Sequence, residues 1–257
     1  MALKDVALEQ QENNAAWQAI LEEKYDEALA IYSVMLQRRD GLAAHMNRGI
    51  TRLLIGDYSG AEADFRSGRN HPDRLPARMI NLKIGVALWL QNQPEAACAD
   101  WANEILRTRS GDITHADEAE APALLWWASA HSELRHWREL AEEELSRQSA
   151  RADTQSHRWP QMLVPFLLGA IGEERLLSGV EISTPRTTFP NLNLRRVAAA
   201  RFYIGAVSLD KGDFNGYREQ LSLAEQLTST ERTAIVDPEY YLTGYALKDI
   251  QGRHPQT

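Results

Sequence analysis

One cysteine, Cys98, is all the thiol chemistry in this chain of 257 residues. It excludes an internal disulfide and any cysteine-built metal cluster. Long apolar runs are missing too. A membrane span needs about 18 such residues, and the longest candidate, 162–171, is broken by Pro165 and Gly169. The first residues, Met1-Ala2-Leu3-Lys4-Asp5, carry charge where a secretory leader needs an apolar core. Positive charge is scarce, with 28 Lys and Arg against 36 Asp and Glu and a net charge of −8. Nucleic-acid binding rests on cations that neutralise phosphates, so that class of partner is not expected. Signature loops of common enzymes are absent as well: there is no Gly-x-x-x-x-Gly-Lys-Ser/Thr, Gly-x-Gly-x-x-Gly, Gly-x-Ser-x-Gly or His-Glu-x-x-His. What remains is 44% hydrophobic and 25% charged, the balance of a folded globular chain. The expectation is an acidic cytoplasmic protein without membrane insertion.

The chain does have internal repetition. Segments 16–36, 49–69 and 85–106 align. Each opens on a small residue (Ala16, Gly49, Gly85), with an alanine 12 positions later (Ala28, Ala61, Ala97). An aromatic follows that alanine by four (Tyr32, Phe65, Trp101). Residues four apart share one helix face. The pattern therefore predicts a first helix whose small residue permits close approach, a turn, and a second helix presenting alanine and aromatic on one face. Lys24-Tyr25, Gly56-Asp57 and Gln93-Pro94 mark the turns. Further on, Phe202-Tyr203-Ile204-Gly205 leads to Lys211-Gly212-Asp213-Phe214, with Tyr217 and Leu221 in the alanine and aromatic places. The large Tyr217 predicts rearranged packing there.

These residues resemble the tetratricopeptide repeat family, best in the second segment: Asn47-Arg48-Gly49, Gly56-Asp57-Tyr58, Ala61, Phe65 and Pro72. Within that family the layout is similar to bacterial lipoprotein adaptors, though no lipobox cysteine or leader is present. The resemblance implies an all-α, right-handed solenoid of antiparallel helix pairs, degenerate in the middle. Its repeats would fall near 9–40, 42–73, 78–107, 121–150 and 198–227, with a capping helix at 238–250, as one continuous domain. The fourth repeat is poorer, with Ala128 as the small residue, His136-Trp137 as the turn and Leu140 in the alanine place. Residues 162–177 read as further helical structure with a kink at Pro165. Two polar connections, 108–121 and 182–194, interrupt the array.

No catalytic set assembles by spacing. His131 and His136 are five apart and point to different helix faces. His115, Asp112, Asp117 and Glu118 read as a solvated run, and Cys98 as a small apolar residue beside Ala97. No cofactor and no metal are expected. The resemblance instead implies a groove lined by first-helix residues. Trp17 and Trp89 fall on that face, with one of Trp126 and Trp127. The inward position two residues before each small residue holds Asn14, Asn47, Lys83, Trp126 and Tyr203. Some family members bind a partner's C-terminal carboxylate with asparagines and cations at such places. Here Asn14, Asn47 and Lys83 match, whereas Gln10 and Met79 stand where lysines are expected. The expected function is non-catalytic: an adaptor or scaffold gripping a helix or extended peptide through Asn14, Trp17, Met46, Asn47, Lys83, Trp89, Trp126, Phe202 and Tyr203. The alternative is a cognate inhibitor, an immunity protein blocking a toxin domain by electrostatic steering. An enzyme on a helical scaffold is the remote third reading.

Overall fold

A computed structural model describes residues 3–71, 77–110, 118–151, 159–183 and 191–253. Among these it contains thirteen α-helices and no strand. Parts of both expected connections, 111–117 and 184–190, lie outside the described residues. The chain divides into two compact units, Met1–Ala97 and Cys98–Thr257, where the repeat pattern anticipates one continuous domain.

The first unit holds α1 (Leu3–Leu21), α2 (Tyr25–Arg38), α3 (Leu42–Ile55), α4 (Tyr58–Arg69) and α5 (Ala77–Leu90). Each helix packs on its predecessor, and the odd-numbered helices also touch in order, α1 on α3 and α3 on α5. The small-residue rule has a direct geometric basis. A Cβ added to Gly49 would lie 2.5 Å from Cε1 of Phe65. One added to Gly68 would lie 2.6 Å from Cδ1 of Ile80. Ala16, Ala28, Tyr32, Ala61 and Phe65 are fully buried.

The turns between paired helices are built alike. Glu23, Gly56, Asn92 and Gly212 all adopt the left-handed conformation, with φ of 61°, 83°, 60° and 77°. The next N–H in each case bonds to a carbonyl five residues back: Lys24 to Ala19, Asp57 to Arg52, Gln93 to Leu88 and Asp213 to Ser208, at 2.9–3.0 Å. This is the Schellman closure of a helix C-terminus. In two of the turns an aspartate then caps the following helix, Asp57 accepting from Gly60 N and Asp213 from Gly216 N. A Cβ on Gly60 or Gly216 would strike the capping carboxylate at 2.1 or 2.2 Å. Asp57→Ala and Asp213→Ala should each cost about 1 kcal/mol, measurable by urea unfolding. Stability unchanged in both would mean that the caps contribute nothing.

The second unit contains the greater part of α6 (Pro94–Arg109). It continues with α7 (Glu120–Ala128), α8 (Arg138–Arg151), α9 (Leu163–Leu167), α10 (Glu173–Ser183), α11 (Leu192–Asp210), α12 (Phe214–Ser229) and α13 (Pro238–Arg253). The alternation persists here: α7, α9, α11 and α13 touch in sequence, and each of α8, α10 and α12 packs on the helix before it. Trp127 lies at the centre of the core. Its ring meets Trp101, His131 and Phe202 at centroid distances of 6.5, 5.6 and 5.0 Å. Its indole N–H donates to the Tyr217 hydroxyl at 3.2 Å. Tyr217 thus fills the alanine place by reaching into the core, opposite Gly205, where a Cβ would meet its ring at 3.1 Å.

Two sequence expectations are corrected. In the fourth repeat the alanine place belongs to Ala141, not Leu140. Ala141 and Leu145 are fully buried and four apart, whereas Leu140 is half-buried. A 3-10 segment, Ser132–Trp137, takes up the turn and shifts the register. Residues 162–177 are helical as expected, but in place of a kink at Pro165 the chain breaks into two helices after Leu167. Pro165 sits third in the five-residue α9, within the first turn, where a proline breaks no hydrogen bond inside the helix. Gly169, at φ 73°, ends that helix by the same closure as the other turns, Ala170 N bonding to Pro165 O at 2.8 Å. Helices α9 and α10 therefore form a helix–turn–helix unit that the motif reading missed. Because α9 is so short, α7 also reaches α11.

Candidate partner-binding surface

The nine residues expected to face a partner divide sharply by exposure. On α1, Asn14 is exposed and Trp17 half-buried; on α3, Met46 is half-buried. Asn47 is buried, and its amide donates to Oδ1 of Asn13 at 2.9 Å, next to the expected Asn14. Asn14 instead accepts from Gln10 along its own helix, also at 2.9 Å. The Thr51 hydroxyl fixes the backbone below by donating to the Asn47 carbonyl at 2.8 Å. The asparagines thus tie α1 to α3, and Trp17 lies one turn along from Asn13.

The other five are interior. Lys83 and Trp89 on α5 are 1% and 5% exposed. Trp126 is 4% exposed, beneath the Arg138 guanidinium, which lies 3.7 Å from its ring centroid. Phe202 and Tyr203 are fully buried, Phe202 against Trp127 and Tyr203 donating to Glu239. A buried side chain offers little area to a partner, so the accessible part of the expected set is Asn14, Trp17 and Met46. Of Asn14, Asn47 and Lys83, expected as a carboxylate clamp, only Asn14 is exposed.

A cavity of about 270 Å³ lies between α1 and α2. Leu8 and Glu12 of α1, Met35 and Arg38 of α2 and Ala44 of α3 line it. Glu12 pairs with Arg38, and Glu9 with Arg39 at 3.1 Å, so two ion pairs rim an apolar floor. No motif search isolates these residues, because their charges are ordinary surface charges until α1 and α2 are paired.

The strongest electrostatic feature of this unit also escaped the sequence reading. Asp64 on α4, with a side chain 3% exposed, receives Arg48 through two nitrogens, Arg52 at 2.8 Å and His45 at 3.4 Å. His45 reaches Asp40 through its other nitrogen at 2.6 Å. Burial pushes the Asp64 carboxyl up, but the His45 and Arg48 hydrogen bonds and the two guanidinium charges outweigh it and hold it below its usual value. The bond to Asp64 raises His45 against its own burial, with help from Asp40. Arg48 and Arg52 are four apart on α3, a spacing that the sequence does display. Both Asp64 oxygens and both His45 nitrogens are engaged, so the role of the group is to clamp α3 to α4. Among the described residues no three His, Cys, Asp or Glu side chains converge to hold a metal ion, and no helix is long and apolar enough to cross a membrane. Neither a protein-family model nor a curated protein sequence matches the chain.

Proposed function

We propose that this chain is a non-catalytic, tetratricopeptide-like helical-repeat module that holds a segment of another protein and acts as an adaptor or scaffold. The observation that carries this reading is the face of α1 and α3, where half-buried Trp17 and Met46 flank the Asn13–Asn47 hydrogen bond. An apolar pair beside an ordered polar pair suits an amphipathic helix or extended peptide. Apolar anchors would meet Trp17 and Met46, and Asn14 would fix register. The cavity between α1 and α2 adds depth for one apolar side chain. The solenoid reading draws its support from the recurring left-handed turns and from the alternate helices that touch in order. Rigid helix pairs present such a face without conformational change, which limits the ordering cost of binding.

The test is capture by the full-length chain from native extract, followed by titration of the captured protein. Truncating a central aromatic at an interface costs about 2 kcal/mol, roughly 30-fold in Kd. Trp17→Ala should show that loss with helicity unchanged, while Glu27→Ala on α2 should bind like wild type. If Trp17→Ala binds normally and removal of 111–117 abolishes binding, the connection is the recognition element and the groove reading fails.

A further inference from the structure

We propose that Glu239 is a proton switch: neutral, it fixes the terminal helix α13 onto α11, and ionised, it loosens that helix. This goes beyond the binding role and does not depend on it.

The geometry is that of a carboxyl taken out of water beside two other acids. Glu239 lies in the first turn of α13, 8% exposed, and accepts the hydroxyl of fully buried Tyr203 on α11 at 2.7 Å. The charges around it are mixed: the acids favour its neutral form, and Arg195 favours its ionised form. Asp237, just before α13, and Glu120, on α7, both act on it as negative charges. Arg195 on α11 acts on Glu239 as a cation but makes its hydrogen bonds to Asp237, two of 2.7 and 2.6 Å. Glu231, which precedes the 3-10 segment Arg232–Val236, also acts on Arg195 and accepts from Thr233. Helix α12 contributes Ala224 and Thr228, and α13 itself Tyr240 and Thr243, none charged near neutral pH. These groups line a cavity of about 10 Å³ against Glu239, room for a single water. An ionised Glu239 would thus have the Tyr203 hydroxyl, its own backbone N–H, a share of the Arg195 charge and at most one water in place of bulk solvation.

Burial, followed by the charges of Asp237 and Glu120, pushes Glu239 up to about 7 against the opposing hydrogen bonds of Tyr203 and its own backbone N–H. The sign follows from proton linkage. A carboxyl raised in the fold binds more protons there than when exposed, so the docked helix is favoured at low pH. That advantage is lost as pH rises from the ordinary carboxyl range through about 7. With the exposed group at 4.5 and the docked group at about 7, the equilibrium for opening α13 rises about tenfold between pH 6 and pH 8. Since α13 packs on both α11 and α12, its release would uncover the alanine-rich strip of Ala198, Ala199 and Ala224.

Amide hydrogen exchange on the full-length protein, scaled for the intrinsic rate at each pH, tests this. Peptides from 238–250 should lose about tenfold protection between pH 6 and pH 8. Glu239→Gln should abolish the pH dependence of α13. Protection of α13 that is constant in wild type, or equally pH-dependent in Glu239→Gln, would overturn the proposal. Tyr203→Phe supplies an independent check if the first variant folds poorly. It removes the hydrogen bond that lowers Glu239 and should move the midpoint of loosening to higher pH. A midpoint that stays or moves down would overturn the proposal equally.

Discussion

Gly49→Leu should be among the most destabilising single substitutions in the chain, with a loss of about 3 kcal/mol or more. The distance decides the matter. An ideal Cβ at position 49 falls 2.5 Å from the Phe65 ring, a contact too short to survive. Phe65 is fully buried at the meeting of α3 and α4 and cannot swing outward without vacating the core. The ring must move or the helices must part, and either leaves poorly packed space. Urea unfolding followed by circular dichroism measures the loss. The double variant Gly49→Leu with Phe65→Leu should recover part of it, because the second change removes the volume that the first overfills. Stability within about 1 kcal/mol of wild type for the single variant would show that α3 and α4 do not meet at this pair.

Asp64→Ala should cost about 3–5 kcal/mol, the range for breaking a buried ion pair by removing one partner. The reason is what remains. Arg48 and Arg52 have side chains only 18% and 26% exposed and would lose the carboxylate that neutralises both. His45 would keep Asp40 alone. The same carboxylate predicts a pH dependence. Asp64 is held below its usual value in the fold, so its contribution is present above the unfolded carboxyl range and is lost as pH falls through the folded value. Unfolding measured from pH 7 downward should show wild type losing stability in acid. Asp64→Asn should start lower and fall less steeply. Equal acid slopes would assign the dependence to other carboxylates. This acid-side loss belongs to Asp64; His45, raised in the fold, loses its contribution as pH rises, so Glu239→Gln is what separates the α13 effect from the first unit.

The repeat register was legible in the sequence wherever the small residue and the aromatic fall at fixed spacing. Gly49 with Phe65, Ala16 with Tyr32 and the Gly56-Asp57 and Gly212-Asp213 turns needed only side-chain volume, helical period and the glycine preference for positive φ. The α9–α10 unit was not legible, because its first helix has five residues and shows no period, and its turn signal, Gly169, follows a proline that reads as a kink. The displaced fourth repeat escaped for a related reason. A 3-10 segment advances differently per residue from an α-helix, so spacing counted across Ser132–Trp137 arrives one position short, at Leu140 instead of Ala141. The candidate surface was read only in part. Inward-facing positions along a repeat are the same whether a partner or a neighbouring helix covers them. Period alone could not separate Trp17, half-buried, from Trp126, beneath Arg138, or from Phe202 and Tyr203 in the core. Asp64 and Glu239 stood in the sequence as two acids among 36, and only the pairing of helices gives them partners.

A photo-crosslinking residue installed singly at positions 17 and 46, and at the exposed positions 27 and 67 on α2 and α4, tests the central claim most directly. In the complex with the captured protein, positions 17 and 46 should give covalent adducts and positions 27 and 67 none. Adducts from 27 and 67 with none from 17 and 46 would place recognition on the even-numbered helices and contradict the account.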